Sequence, residues 1–203
     1  MNYVPSFVEY GLGRLFRNFR GRDDKLIQRG SAFANCPEPS LTLECPEVGP
    51  SGSSLSVKHT AFGEQLFPTL RWPAVTPNIK EYLLIVEDPD APLPNPITHG
   101  LFYSIPATAT GVTAQDIELV KGSAVPNLLK GGFKYSPNRG HIYRGPRPPR
   151  GHGPHRYWFT LIGMNEALDV KKLSPLAKKE ELLVAIQGKV VGWGSWIGVF
   201  ENE

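Results

Sequence analysis

One residue in five of this chain is glycine or proline, 21 Gly and 20 Pro among 203 residues. Proline cannot donate a backbone hydrogen bond and breaks helix interiors, so this frequency excludes a helical bundle. The two residue types are scattered without a three-residue repeat, which excludes a collagen helix and favours many short turns. Hydrophobic residues make up 40% of the chain and charged residues 20%, which is ordinary for a folded domain. The composition therefore predicts a single turn-rich fold that contains strands.

Segments rich in aromatic and β-branched residues predict the strands of this fold. The clearest are EYLLIVE at 81–87, LFYSI at 101–105 and YWFTLI at 157–162. The apolar centre of the first segment is uninterrupted, which is typical of a strand covered on both faces. The C-terminal VVGWGSWIGVF predicts another strand, and a weaker candidate begins at Leu55 and Val57. Together these segments predict a β-rich α+β fold with helices at its periphery.

Two helices are predicted outside these strands. Between residues 7 and 20, apolar side chains recur at helical spacing and arginines interleave with them. The apolar residues are Val8, Leu12, Leu15 and Phe19, and the arginines are Arg14, Arg17 and Arg20. Such a helix either packs its apolar face on the chain's own core, which we expect here, or makes weak contact with a membrane surface. The second helix spans 174–187, with Ser174 as N-cap, Pro175 at its first position and Gly188 after its end.

The positive charge is concentrated in one segment of the chain. Residues 130–156 hold seven Lys and Arg, three His and no acid, whereas fifteen basic and nineteen acidic residues lie outside. The seven are Lys130, Lys134, Arg139, Arg144, Arg147, Arg150 and Arg156. The net charge of +3 is too small to indicate a nucleic-acid partner. The local segment instead predicts a site for a small anion, and a solvated basic loop is the alternative.

Nothing in the chain predicts a membrane span or a secretory leader. The longest uninterrupted aliphatic or aromatic run is five residues, 82–86, and Glu9 interrupts any signal-peptide core. Cys36 and Cys45 are nine residues apart, which permits a disulfide but does not require one. The sequence therefore predicts a soluble, cytoplasmic protein.

Two acidic residues follow the strand at 81–87 directly, in the sequence DPDAP. The prolines stiffen this turn, so that both carboxylates point in a fixed direction. His99 comes seven residues after the turn, where a short connection returns the chain to the same end of the sheet. A carboxylate beside an imidazole fixes its tautomer and raises its basicity. Asp88, Asp90 and His99 are therefore candidate site residues, and capping of the turn's backbone amides is the alternative role of the two acids.

The sequence GPRPPRGHGPHRY at 145–157 supplies the other half of the candidate site. Its prolines and glycines predict a rigid loop whose backbone amides form an anion nest. His155 and Tyr157 are two residues apart, so they face the same side of the strand that follows. Arg147, inside the loop, is the candidate for attracting an anionic group.

A metal site and a cofactor site are the further alternatives. His152 and His155 with Asp88 could imitate a metal site, but the surrounding arginines repel cations, so we predict no metal. The chain contains no GxGxxG, P-loop, GxSxG or CxxC motif. Because these motifs carry dinucleotide, nucleotide and serine-hydrolase chemistry, we predict no cofactor.

Taken in order, these motifs resemble the signatures of the phosphatidylethanolamine-binding protein (PEBP) family. The resemblance rests on EDPDAP at 87–92, the isolated His99 before a strand that ends in IP, and GPRPPRGHGPHRY at 145–157. The C-terminal GKVVGWGSWIGVF is also similar, and EYGLGRLFRNFRGRDDKL near the start resembles the fungal branch. The resemblance covers roughly residues 40–201.

The resemblance implies a large antiparallel sheet packed on a smaller one, with helices at the edge. We expect an amphipathic extension at 1–39 and a single PEBP-like domain at 40–203. The family's anion pocket, carried over residue by residue, would comprise Asp88, Asp90, His99, Pro149, His155 and Tyr157.

Three functions are compatible with such a pocket. The first is binding of a small phosphate- or carboxylate-bearing ligand. The second is a non-redox, cofactor-independent enzyme of fungal secondary metabolism that cyclises or dimerises an anionic polyketide- or anhydride-like substrate. Its catalytic groups would be Asp88, His99 and His155. The third is regulation of a protease or kinase, as in other family members. The expected partner is thus a small anion rather than nucleic acid, and a homodimer stays open.

Overall fold

The computed structural model describes residues 5–74, 78–138 and 140–203, and a five-stranded antiparallel sheet forms its centre. The helices are α1 (Ser6–Phe16) and α2 (Lys179–Ala185). The strands are β1 (Leu70–Arg71), β2 (Glu81–Asp88), β3 (Ile97–Pro106), β4 (Gly111–Val112), β5 (Lys134–Tyr135), β6 (His155–Met164) and β7 (Val190–Phe200). The large sheet has the order β5-β3-β2-β6-β7, and β1 pairs with β4 in a second sheet. The predicted fold class, with a large and a small sheet, is confirmed.

Strand β2 lies in the middle of the large sheet, and all eight of its residues are buried. On one face, Leu84 packs with Phe102 and Phe159 in the core between the two sheets. On the other face, Leu83 and Ile85 belong to a second core, which α2 covers. Burial on both faces is the reason why this strand shows no polar alternation in its sequence.

The four main strands predicted from the sequence are confirmed, but the weaker candidate at Leu55 and Val57 is wrong. Leu55 donates its backbone N–H to Val199 of β7 over 2.7 Å. The chain then enters a 3-10 turn at Val57–His59, so no strand forms. A single parallel bridge, between Ser54 and Val199, is all that remains of the pairing in this part of the chain.

The predicted helix at 174–187 is also shorter than its capping pattern indicates. Helix α2 begins at Lys179 and ends at Ala185. The carboxylate of Glu181 accepts hydrogen bonds from the backbone N–H of Ser174 (2.9 Å) and from its hydroxyl (2.8 Å). Because its hydroxyl serves as a donor to Glu181, Ser174 does not cap the helix.

Helix α1 ends at Phe16, earlier than predicted, and its apolar face does not pack on the core. Among the residues of α1, all of which the structure describes, Gly13 alone is buried. This glycine faces the loop that precedes β6, and a Cβ at position 13 would overlap the carbonyl oxygen of Arg150. The expectation that the apolar face of this helix is buried in the chain's own core is therefore wrong.

The rest of the N-terminal segment contributes to the core. Three short 3-10 turns lie between residues 23 and 33, and Ile27 and Phe33 belong to the core that α2 covers. The ring of Phe33 meets Trp193 of β7 edge-on, with centroids 6.3 Å apart. A domain boundary at residue 39 stays a prediction.

Cys36 and Cys45, for which the sequence permitted a disulfide, are free thiols. In the parts of the chain that the structure describes, no helix is long and apolar enough to cross a bilayer. Arg139 of the basic segment lies outside the described residues.

Candidate functional site

Asp88 is the last residue of β2, and its carboxylate has two roles. Its Oδ1 accepts the backbone N–H groups of Asp90 (2.8 Å) and Ala91 (3.2 Å), which stabilises the proline-rich turn. Its Oδ2 accepts a hydrogen bond from Nδ1 of His155 over 2.8 Å. The capping role and the pairing with a histidine are therefore not alternatives, because each uses a different oxygen of the same buried side chain.

His99 reaches this carboxylate because β3 is irregular at that position. Val86 pairs with Gly100 and Glu87 pairs with Thr98, which leaves His99 as an extra residue in the strand. An extra residue of this kind re-aims a side chain. The ring of His99 lies perpendicular to that of Tyr157, with centroids 5.1 Å apart. It therefore lies on the face of the sheet that also carries Asp88.

The tautomer of His99 follows from its one hydrogen bond. Nδ1 lies 2.7 Å from the carbonyl oxygen of Arg144, and because a carbonyl can only accept, Nδ1 carries the proton. Nε2 is buried, has no hydrogen-bond partner among the described residues, and lies 4.0 Å from Asp88 Oδ2. Burial lowers the pKa of His99 below its ordinary value, so the neutral ring is favoured. Nε2 thus presents a free lone pair.

The hydroxyl of Tyr157 is the second unpartnered polar group. It is buried and has no hydrogen-bond partner within the described chain. Burial raises the pKa of Tyr157 well above its ordinary value, so the hydroxyl stays protonated and can donate. A base and a proton donor therefore lie beside Asp88, and neither has a hydrogen-bond partner for its reactive atom among the described residues.

His155 continues into a line of hydrogen bonds that ends at α1. Its Nε2 lies 2.8 Å from Nδ1 of His152, and Nε2 of His152 donates to the carbonyl oxygen of Phe16 over 2.9 Å. His155 thus has both ring nitrogens engaged, one with Asp88 and one with His152. All four ring nitrogens of His152 and His155, which a metal ion would need as ligands, are thus engaged in hydrogen bonds.

Asp90 is placed differently from the other candidates. Its carboxylate accepts three hydrogen bonds from Arg156, at 2.8 to 2.9 Å, and one from the backbone of Gly21 at 3.2 Å. Burial alone would raise the pKa of Asp90, but the hydrogen bonds from Arg156 outweigh it and lower the pKa. Arg156 also pairs with Asp23 over 2.8 Å. Asp90 therefore fastens the N-terminal segment to β6.

The two loop candidates, Arg147 and Pro149, lie in the segment that precedes β6. Arg147 is exposed and has no ion pair within the described residues. Pro149 is half-buried, and its carbonyl oxygen accepts the N–H of His152 over 3.1 Å, which shapes the turn before β6.

The link through His152 and the supporting carbonyl groups of Phe16 and Arg144 were not predicted from the sequence. The one available signal for His152 is its position between two glycines, which adopt φ of +75° and +99°. Those glycines allow the tight turn that brings the two rings together. No sequence signal marks the carbonyl groups, because any residue type supplies one.

A sheet of this topology with an Asp–His–Tyr cluster at one end is a combination by which a protein family can be recognised. Comparison with known proteins identifies that family. Residues 47–201 match the profile of the phosphatidylethanolamine-binding protein family, and the chain belongs to that family. The chain is 39% identical over 203 residues to "Phomoidride biosynthesis cluster protein B" of a fungal species, covering 100% of this chain and 98% of the relative. It is 40% identical over 206 residues to the protein of the same name from Talaromyces stipitatus, covering 100% and 84%.

A solved structure shows the same fold. A PEBP homologue from Chlamydia trachomatis superimposes with a TM-score of 0.65 at 22% sequence identity. The match covers 82% of this chain and 100% of the bacterial chain. Both fungal relatives, in contrast, align over the whole chain, including the residues before position 47.

Proposed function

We propose that this protein is a cofactor-independent acid–base enzyme of fungal secondary metabolism, acting on a small substrate that carries a carboxylate or a phosphate. The observation that carries the proposal is the pair of buried, unpartnered groups beside Asp88, namely His99 Nε2 and the Tyr157 hydroxyl. One group accepts a proton and the other donates a hydrogen bond. Together they can remove a proton from carbon and stabilise the oxyanion that results.

The proposed reaction begins with His99 as the base. Nε2 takes the proton from a carbon next to a carbonyl group, and the electron pair of that C–H bond moves onto the carbonyl oxygen. The hydroxyl of Tyr157 donates a hydrogen bond to this oxygen, while Asp88 Oδ2, 4.0 Å from Nε2, stabilises the imidazolium. The enolate carbon then adds to a conjugated C=C or C=O carbon of the same molecule or of a second one, and the π bond of that acceptor breaks to give the anion that is protonated in the last step. His99 finally returns its proton to the product.

His155 is not the base in this proposal. Both of its ring nitrogens are engaged, with Asp88 on one side and His152 on the other. Its role is to hold the carboxylate of Asp88 in place, which makes His155 and His152 positioning residues. Arg147, exposed on the loop, is proposed to attract the anionic group, with Asp90 and Pro149 shaping the walls.

The relatives support the metabolic setting. Two fungal proteins that align over the whole chain are named for a phomoidride biosynthesis cluster. A metabolic cluster needs proteins that act on small molecules, which supports an enzyme over a regulator of proteases or kinases.

The test uses 2,3-dimethylmaleate, a dicarboxylate whose methyl protons are acidic through the conjugated carboxyl groups. The protein is incubated with the probe in D₂O, and exchange of the methyl protons is followed by NMR. We expect exchange with the unaltered protein and a loss of about 10²-fold or more in His99→Gln. His59→Gln is the matched control, because His59 is buried but its Nδ1 bonds to Leu66, outside the site. Equal exchange rates in both variants would contradict the proposal.

Ligand binding without chemistry is the second candidate, and the exposed Arg147 beside an enclosed polar cluster favours it. Calorimetry with the same probe separates the two functions. Heat of binding without proton exchange supports the binding protein, whereas absence of both at millimolar probe contradicts both functions.

Arg147→Ala should weaken the binding of dimethylmaleate and leave the binding of its neutral dimethyl ester unaffected. The loss should be small, since exposed charge pairs contribute about 0–1 kcal/mol. Equal weakening of acid and ester would mean that Arg147 only shapes the loop.

A further inference from the structure

Helix α1 turns its apolar face toward solvent. With a rotation of about 100° per residue, Phe7, Val8, Leu12 and Leu15 occupy one side of the helix, opposite Gly13. Phe7 is 78% exposed and Leu15 is 70% exposed, and Phe19 in the turn that follows is 55% exposed. These residues include the apolar stripe at helical spacing for which the sequence left weak contact with a membrane surface as the alternative to burial in the core. Isolated exposed apolar residues are common, but a continuous row of them is not.

The opposite side of α1 is fastened to the loop before β6, which fixes the outward direction of the apolar face. The backbone at Gly13 is in direct contact with Arg150. The Arg150 guanidinium donates to the hydroxyl of Ser6 over 2.7 Å, and Phe16 accepts from His152 over 2.9 Å. Contacts at both ends of the helix therefore prevent it from rolling its apolar side chains onto the protein.

The charges beside this face are positive. The side chains of Arg14 and Arg17 have no hydrogen-bond or ion-pair partner among the described residues. Glu9, the acid of α1, lies on the fastened side, where its carboxylate accepts the backbone N–H of Arg150 at 3.5 Å. Arg14 borders the apolar stripe, and Arg17 is exposed at the end of the helix. An apolar stripe with exposed arginines near it complements a surface that is apolar inside and negative at its edge. A second copy of this helix would instead bring like charges together.

We propose that α1 and the turn after it form a docking helix for an anionic lipid surface. Phe7, Leu15 and Phe19 insert at the boundary between head groups and acyl chains. Arg14 and Arg17 lie at the level of the lipid phosphates, where each basic residue adds to the attraction. The helix rests on the membrane plane and does not cross it.

The experiment is co-sedimentation with vesicles of phosphatidylcholine that contain about 30% phosphatidylglycerol, compared with pure phosphatidylcholine. We expect the unaltered protein to bind the anionic vesicles and to dissociate at high salt. The double variant Phe7→Ser/Leu15→Ser should lower the partition coefficient by at least about tenfold. Arg14→Gln/Arg17→Gln should abolish the preference for anionic over neutral vesicles.

The matched control is Val57→Ser/Val184→Ser, because these valines are also exposed, at 56% and 74%, but lie outside α1. The control should bind vesicles like the unaltered protein, and all variants should keep the same thermal unfolding midpoint. Binding that is absent at millimolar lipid, or equal in the control and the Phe7/Leu15 variant, would overturn the proposal. A dimer that the Phe7/Leu15 variant converts to monomer, without vesicle binding, would overturn it in favour of self-association.

Discussion

The hydrogen-bond line at the site needs three ring protons, whereas two neutral histidines carry only two. His155 donates to Asp88 and His152 donates to the carbonyl of Phe16, so a hydrogen bond between the two rings, whose facing nitrogens are 2.8 Å apart, requires a third proton. Burial lowers the pKa of His152 and thus opposes this additional proton.

Asp88→Asn tests the charge of this residue separately from its turn-capping role. The amide oxygen can still accept the turn's N–H groups, but the amide nitrogen would face the N–H of His155 and could not accept from it. We expect proton exchange to fall by about 10²-fold or more, with little change in the unfolding midpoint. The control Glu87→Gln loses the 2.6 Å ion pair with Lys179 on the other face, so it should cost about 1–3 kcal/mol of stability and leave exchange intact. The reverse pattern would assign Asp88 a purely structural role.

Tyr157→Phe removes a hydroxyl that has no partner in the described protein. Because an unsatisfied buried group destabilises the fold, we expect the free energy of unfolding to stay the same or rise by about 1 kcal/mol. Exchange activity should fall, since the oxyanion loses its hydrogen-bond donor. Tyr103→Phe, on the opposite face of the sheet, is the control and should keep full activity. A clear loss of stability in Tyr157→Phe would reveal a structural hydrogen bond instead.

Among the secondary-structure elements, β3 decides the geometry of the site. If β3 had no bulge at this position, regular alternation would place His99 on the same face as Leu101, which packs in the core under α2. The site would then lack its base. A one-residue change of register moves a side chain to the other face, which no periodicity in the sequence reveals.

The two glycines of α1 offer a matched pair for testing how the helix is fastened. A Cβ at Gly13 would overlap backbone of the loop at Arg150, whereas a Cβ at Gly11 meets nothing within 4 Å. Gly11→Ala should therefore stabilise the protein by up to about 1 kcal/mol through helix propensity. Gly13→Ala should destabilise it by about 1–3 kcal/mol and change the imidazole nitrogen chemical shifts of His152, whose Nε2 loses its bond to Phe16. Equal stabilisation by both substitutions would show that α1 is not held at Gly13.

Across the whole molecule, two of the seven basic residues of the basic segment are neutralised by acids from other parts of the chain. Arg156 pairs with Asp90 and Asp23, and Lys130 pairs with Glu118 over 2.6 Å. The sequence shows the concentration of positive charge but not these pairs. The charge that stays available for an anion is therefore smaller than the composition predicts.

Stability should depend on pH through Glu81, at the end of β2 opposite to Asp88. Burial raises the pKa of Glu81 from 4.5 to about 7. Between these values the folded protein keeps a proton that the unfolded chain has lost, so this contribution to stability declines as the pH rises through about 7. Glu81→Gln should therefore stabilise the protein more at about pH 8 than at about pH 5, by at most roughly 3 kcal/mol. Urea unfolding at both values measures this, and a pH-independent difference would contradict it.

The sequence alone determined the four main strands, the class of fold and the residue types of the site. The uninterrupted apolar run at 82–86 is typical of a covered strand, and residues two apart in a strand, such as His155 and Tyr157, share a face. These properties depend on neighbours along the chain, so local patterns are sufficient to predict them.

Only the tertiary structure decided which candidates meet and what they do. The bond of His155 to Asp88 joins residues 67 apart, and that of His152 to Phe16 joins residues 136 apart. Local sequence does not reveal that Asp90 pairs with Arg156 or that the apolar face of α1 is exposed. Both outcomes depend on which residues from distant parts of the chain come to lie beside these side chains. The sequence thus determined the groups available for chemistry, and the packing of distant segments decided that, among the described residues of the site, His99 Nε2 and the Tyr157 hydroxyl are left without hydrogen-bond partners.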